Sequence, residues 1–193
     1  VLCADEKTSI QARIRCHPSR AAAPGESVRV EHEYDRGGAL AYLAAWDVHR
    51  ARLFGRLEPT TGIAPFGRLV EQVMSREPYR SAARVFLIVD NGSSHRGERA
   101  VRRLAALYPH LVLVHLPVHA SWLDQIEIYF SIVQRKVLTP NDSLSLDEVG
   151  QRILAFQARY EESATPFEWK FTRRDLTKLL RRIAAHEQLP AAA

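Results

Sequence analysis

The stretch Arg84-Val85-Phe86-Leu87-Ile88-Val89-Asp90-Asn91-Gly92-Ser93-Ser94-His95 decides how this chain is read. Its apolar, β-branched run, closed by Asn-Gly, reads as a strand buried on both faces, the kind found in a sheet covered by helices. The run ends in a carboxylate. An acid at the end of a buried strand needs partners, so the remaining sequence is read by asking which other acids reach Asp90.

Upstream, Val1-Leu2-Cys3-Ala4 is a second short apolar strand that also ends in acids, Asp5-Glu6. Ser9 to Cys16 alternates loosely as a continuation, and Pro18, Pro24 and Gly25 mark a loop. Ser27–Tyr34 alternates as a half-exposed strand, Arg36-Gly37-Gly38 reads as a turn, and 39–48 and 50–57 read as further strands of an antiparallel meander. From Ile63 the period changes: Phe66, Leu69, Val70 and Val73 line one face of a helix. Downstream of Asp90, Val101, Leu104, Ala105 and Tyr108 repeat that spacing, and Leu111–Leu116 is the next buried strand, stopped by Pro117. Ser121 reads as the N-cap of a helix running to about Leu138 with the stripe Trp122, Ile126, Tyr129 and Val133. Ser145 with Glu148 forms a capping box for a helix striped by Val149, Ile153, Phe156 and Tyr160. A basic helix is expected from about Arg173 to His186. Three strands, helix, strand, helix, strand, then helices is the order of the ribonuclease H-like α/β architecture, a mixed five-stranded sheet flanked by helices. The expected division is a catalytic domain over 1–170 and a basic helix with its tail over 171–193.

Composition narrows the function classes. With 193 residues, 46% hydrophobic and 25% charged, the chain suits one folded domain. No apolar run approaches the roughly 20 residues that cross a bilayer, so no membrane partner is expected. Cys3 and Cys16 cannot build a disulfide framework, and with His115 and His119 they lack zinc-site spacing; a reducing cytoplasm, and the nucleoid within it, is the expected compartment. The net charge of +5 suits a polyanion partner. The chain opens on Val1 within an apolar segment, as a piece of a longer protein would.

In such a sheet the first and fourth strands are neighbours, which brings Asp5 beside Asp90. The third acid should come from the helix after Pro117, where two candidates compete. Glu127 sits between Ile126 and Ile128 at the border of the apolar stripe, where a carboxylate is costly unless paired or metal-bound. Asp124 is the alternative, its plainer role being a first-turn acid favoured by the helix dipole. Three hard oxygen donors on rigid elements suit Mg²⁺ or Mn²⁺, and a pair of such ions suits in-line phosphoryl displacement.

Asp5-Glu6-Lys7-Thr8-Ser9-Ile10-Gln11, Tyr34-Asp35-Arg36-Gly37-Gly38, Asp90-Asn91 with His95, and Ser121-Trp122-Leu123-Asp124-Gln125-Ile126-Glu127 together resemble the catalytic domain of bacterial insertion sequence 630 family transposases, relatives of the mariner elements that carry a DDE superfamily endonuclease domain. The resemblance extends to about Trp169. It implies a metal-binding triad at Asp5, Asp90 and Glu127, and the 37 positions from Asp90 to Glu127 fit the superfamily's usual mid-thirties interval. It also implies cleavage at transposon ends with Mg²⁺ or Mn²⁺, strand transfer into target DNA at TA, and a homodimer in the active complex. Asp124 stands where the family usually has Asn, and Ala39 replaces a common Thr. The family's end-reading helix-turn-helix region does not occur in this sequence.

Other candidates are smaller. Asn91, His95, Arg135 and Lys136 are expected to contact DNA, as are the arginines at 99, 102 and 103 and the basic positions of 173–182, although charged helix faces are often simply solvated. Ser94-His95 lacks a nucleophile-elbow pattern. The rival functions are another ribonuclease H-like nuclease and a decayed or domesticated fragment that binds DNA without cutting it.

Overall fold

The computed structural model describes residues 1–118 and 120–187, and for His186 and Glu187 the backbone alone. His119 and the Pro190–Ala193 tail lie outside the described residues.

Three apolar segments at the start of the chain form strands: β1 (Leu2–Ile14), β2 (Asp35–Asp47) and β3 (Leu53–Glu58). Then come α1 (Ile63–Met74), β4 (Val85–Val89), α2 (Glu98–Leu107), β5 (Leu111–His115), α3 (Ile126–Lys136), α4 (Leu146–Ser163) and α5 (Arg173–Glu187). The sheet order is β3-β2-β1-β4-β5. β1, β2 and β3 pair antiparallel, and β4 runs parallel to β1 and β5. This is the expected ribonuclease H-like arrangement.

Both faces of the sheet are covered, as its near-continuous apolar strands require. On one face Leu2, Ala4, Leu43 and Leu87 pack with Phe66, Leu69 and Val70 of α1 and Leu104 of α2. On the other, Cys3, Tyr42, Ala44 and Trp46 pack with Ile126, Tyr129 and Val133 of α3 and Ile153 of α4. α4 starts where the capping box places it: Glu148 N–H donates to Ser145 Oγ at 3.1 Å, and Glu148 Oε2 accepts from Leu144 N–H at 2.8 Å.

Four expectations differ from the structure. Residues 27–34 are no sheet strand; that stretch of the β1–β2 connection forms only an isolated bridge, Arg20 to Arg29, and leaves Val28 exposed, because its alternating side chains have no apolar surface to cover. Arg36-Gly37-Gly38 lies within β2: a Cβ on Gly37 would stand 3.1 Å from the Ala12 Cβ, so the glycine serves close strand approach and no turn. In α2 the buried residues are Ala100 and Leu104, while Val101 is exposed. Finally, α3 begins at Ile126, four residues later than a Ser121 cap implies, because Ser121–Leu123 forms a separate 3₁₀ turn and Asp124 is extended. Trp122 is therefore exposed, edge-on to Phe171 at 4.8 Å, and is not part of the core.

The β1–β2 ladder has two bulges: between Lys7 and Ile10 the extra residue is on β1, and between Gln11 and Arg13 it is on β2, where Gly37 and Gly38 oppose Ala12. The first shifts the in–out alternation of β1 by one residue. Before and after it, Cys3, Asp5 and Lys7, then Ile10 and Ala12, fall on the face that α3 and α4 cover.

Candidate active site

The β1–β4 ladder pairs Leu2 with Leu87 and Cys3 with Ile88. Continued two residues further, that register sets Asp5, within β1, opposite Asp90, just past the C-terminal end of β4. Alternation turns Asp5 toward α3, since its β2 partner Ala44 packs in the α3–α4 core.

Each carboxylate has one oxygen fixed by the chain. Asp5 Oδ1 accepts from the Glu6 amide at 2.7 Å. Asp90 Oδ1 accepts from the Gly92 amide at 2.7 Å and pairs with His95 Nε2 at 2.5 Å. The Oδ2 atoms of both accept no hydrogen bond from the described residues. His95 is fully buried, with its ring centroid 4.8 Å from that of Phe66. It therefore does not lie on a surface open to DNA, as expected, but holds Asp90 from behind. Ser94 Oγ meets His95 Nδ1 at 3.0 Å and donates to Glu6 Oε1 at 3.0 Å, which links β1 to the end of β4 through Glu6, Ser94, His95 and Asp90. His115 Nε2, at the end of β5, donates to the His95 carbonyl at 2.9 Å. Asn91 is also turned inward, its Nδ2 donating to the Leu116 carbonyl at 2.8 Å.

Across the gap stands the segment entering α3. Asp124 is fully buried, and its Oδ1 accepts from the Ile126 amide at 3.3 Å, an Asx turn at the entry to α3, whose N-cap is Gln125. Its Oδ2 is buried without a hydrogen-bond partner among the described residues. Glu127 is exposed in the first turn of α3, which reverses the burial expected of the two acids. The cause is the helix start: the 3₁₀ turn and extended Asp124 reset the phase that a continuous helix from Ser121 would impose. Arg135 and Lys136 are exposed at the far end of α3, Arg135 donating to Ser131 Oγ at 2.8 Å.

Burial pushes the Asp5 carboxyl up to about 8; repulsion from Asp90, Glu6 and Asp124 adds to this and the Glu6 amide opposes it. Burial likewise pushes Asp124 up to about 7, with Glu127 and Asp90 contributing. The Cys3 thiol, against Asp124, is also raised by burial and by that carboxylate. Both cysteines are free thiols. Asp5, Asp90 and Asp124 are therefore gathered in one electrostatic neighbourhood, with Glu127 acting on Asp124. Among the described residues no three Asp, Glu, His or Cys side chains stand within reach of one common metal position. The donor chemistry nevertheless fits a hard divalent cation: all-oxygen donors, two uncommitted Oδ2 atoms, and mutual repulsion that a cation would relieve.

The family model described as DDE superfamily endonuclease matches residues 1–149, which include all four acids. The chain belongs to this family. Among solved structures, this DDE endonuclease chain is similar to the Mos1 mariner paired end complex with Mn, at 18% identity and a TM-score of 0.60, covering 97% of this chain and 55% of that one. It is also similar to the Mos1 strand transfer complex, at 17% identity and a TM-score of 0.53, covering 98% and 55%. At that identity the likeness is one of fold, and the chain spans about half the length of these relatives. No curated protein matches it in sequence. In the DDE endonuclease, reading the sequence located Asp5 and Asp90 but missed the Glu6–Ser94–His95 support. The available signal was Ser94-His95 following Asp90-Asn91-Gly92, a tight turn that folds a ring back onto the acid.

Proposed function

We propose that this chain is the catalytic domain of a transposase, cutting phosphodiester bonds at insertion-sequence ends and joining the freed 3′ end to target DNA. The observation that carries this is the convergence of Asp5, on β1, and Asp90, just past the end of β4, facing the acids that lead into α3, in a member of the DDE superfamily endonuclease family. Asp5, Asp90 and Glu127 would hold divalent metal. Mg²⁺ or Mn²⁺, expected as two ions, would supply charge neutralisation at the phosphate and activation of the attacking oxygen. Glu127 is preferred to Asp124 as the third ligand because it is exposed where DNA can reach, whereas Asp124 is buried in a turn before α3.

The chain's own contribution is positioning. The Glu6 and Gly92 amides fix Oδ1 of the two aspartates and leave each Oδ2 for the reaction, while His95, held by Ser94, keeps Asp90 from turning away. The basic α5 and the end of α3 would meet DNA phosphates. Two protomers on paired ends, and a TA target, complete the proposal.

The test is Mn²⁺-dependent cleavage and joining on DNA carrying the element's ends. Asp5→Asn and Glu127→Gln should each lower the rate at least about a hundredfold, while Asp124→Asn retains it. Loss in Asp124→Asn with retention in Glu127→Gln would move the third ligand to Asp124.

A further inference from the structure

A cavity of about 490 Å³ opens along β1 from Lys7, two residues beyond Asp5, and is lined by Arg13, Tyr34, Gln134 and Asn141 among others. We propose that it binds one unpaired nucleotide of the DNA strand leaving the active centre, its phosphate on Lys7 and Arg13 and its base at Tyr34. This rests on the catalytic reading above and adds a subsite to it.

Position comes first. Lys7 lies two residues beyond Asp5 on the same face of β1, about 6.7 Å along the strand. A DNA strand with its reacting phosphate at Asp5 therefore delivers its neighbouring nucleotide to Lys7. Arg13 and Arg15, further along the chain, line the same cavity, and the β1 bulge after Lys7 contains Ser9 in the left-handed region at φ 56°, a conformation that costs energy and recurs beside functional sites.

Charge comes next. The titratable groups lining the cavity are Lys7, Arg13, Arg15, Glu31, His32 and Tyr34. Arg15 is committed to Asp142 at 2.7 Å and to the Glu31 carbonyl. The Glu31 carboxylate is committed to His17, accepting from its amide at 2.7 Å and meeting its Nδ1 at 2.9 Å. Among the described residues Lys7 and Arg13 are in no ion pair, so uncompensated positive charge faces the space.

Shape and chemistry select the ligand. The volume suits a small-molecule ligand and is too small for stacked base pairs, so a strand entering it must be unpaired there. Tyr34, with the Arg13 guanidinium 4.8 Å and that of Arg15 5.7 Å from its ring centroid, forms an aromatic–cationic platform of the kind on which bases stack without sequence preference. Leu138 and Pro140 supply apolar wall, and Gln134 and Asn141 supply amides.

The experiment uses this chain with a single-stranded octanucleotide carrying 5-iododeoxyuridine, and the same sequence as a blunt duplex. Irradiation should cross-link the single strand to Tyr34, identified by peptide mapping. Tyr34→Phe should keep the cross-link and Tyr34→Leu should lose it. By fluorescence anisotropy, Lys7→Ala/Arg13→Ala should weaken single-strand binding about tenfold, while the charge-matched control Arg76→Ala/Arg80→Ala, at exposed positions beyond α1, stays within about twofold. Asp90→Asn should leave the cross-link intact, which separates this subsite from catalysis: a chain that cross-links but never cuts defeats the catalytic reading alone. Cross-links elsewhere, equal labelling of the duplex, or equal losses in the two double variants would overturn the proposal.

Discussion

Asp90 shares its Oδ1 between the Gly92 amide and His95 Nε2, and the space around that pair is filled. A Cβ on Gly92 would stand 2.9 Å from Asp90 Oδ1 and 3.0 Å from the His95 Cε1. Gly92→Ala should therefore push the acid off its position and lower Mn²⁺-dependent cleavage about tenfold or more, with little change in Tm. At Asp5 the consequence concerns stability. Its folded pKa of about 8 lies above the ordinary value of about 4, so between those pH values the folded state keeps a proton that the unfolded chain has released. In chelator, stability should fall as pH rises from about 4 through 8, and Asp124, raised to about 7, acts in the same sense. Asp5→Asn should flatten that slope and raise Tm near pH 8 by roughly 3 °C or more, read by calorimetry; an unchanged slope would contradict it. At this scale Asp5 and Asp90 were legible because each ends an apolar run. The exchange of burial between Asp124 and Glu127 was not, because it depends on where a helix starts.

Elements meet most closely where β3 passes under α4. A Cβ on Gly55 would come within 2.7 Å of the Tyr42 Cε2, in a ring that is fully buried and whose hydroxyl donates to Gln157 Oε1 at 2.9 Å. Gly55→Ala should cost about 1–3 kcal/mol, seen as a lower denaturation midpoint with unchanged m-value; a neutral result would show that α4 can move away from the sheet. The stripe of α1 and the capping box of α4 could be read directly, since period and cap are local signals. Residues 27–34 and the Gly37-Gly38 pair could not, because an alternating pattern becomes a strand only where a neighbour offers an edge, and a glycine pair fits a turn or a close crossing equally well.

For the molecule as a whole, strand order and the two packed layers followed from the succession of apolar runs and helical periods. The two bulges of the β1–β2 ladder carry no comparable sequence signal. α5 separates its charges cleanly: Arg174, Lys178, Arg181 and Arg182 take one side, and Leu176, Leu179 and Ile183 the other. Together with the net charge of +5, this basic side suits a polyanion partner. The central claim is that Asp90 takes part in metal-dependent cutting. Its most direct measurement is the Mn²⁺-dependent nicking rate of Asp90→Asn on DNA carrying the element's ends, beside wild type and with matched Tm. The account requires the variant to be slower by at least about a thousandfold; nicking at the wild-type rate would contradict it.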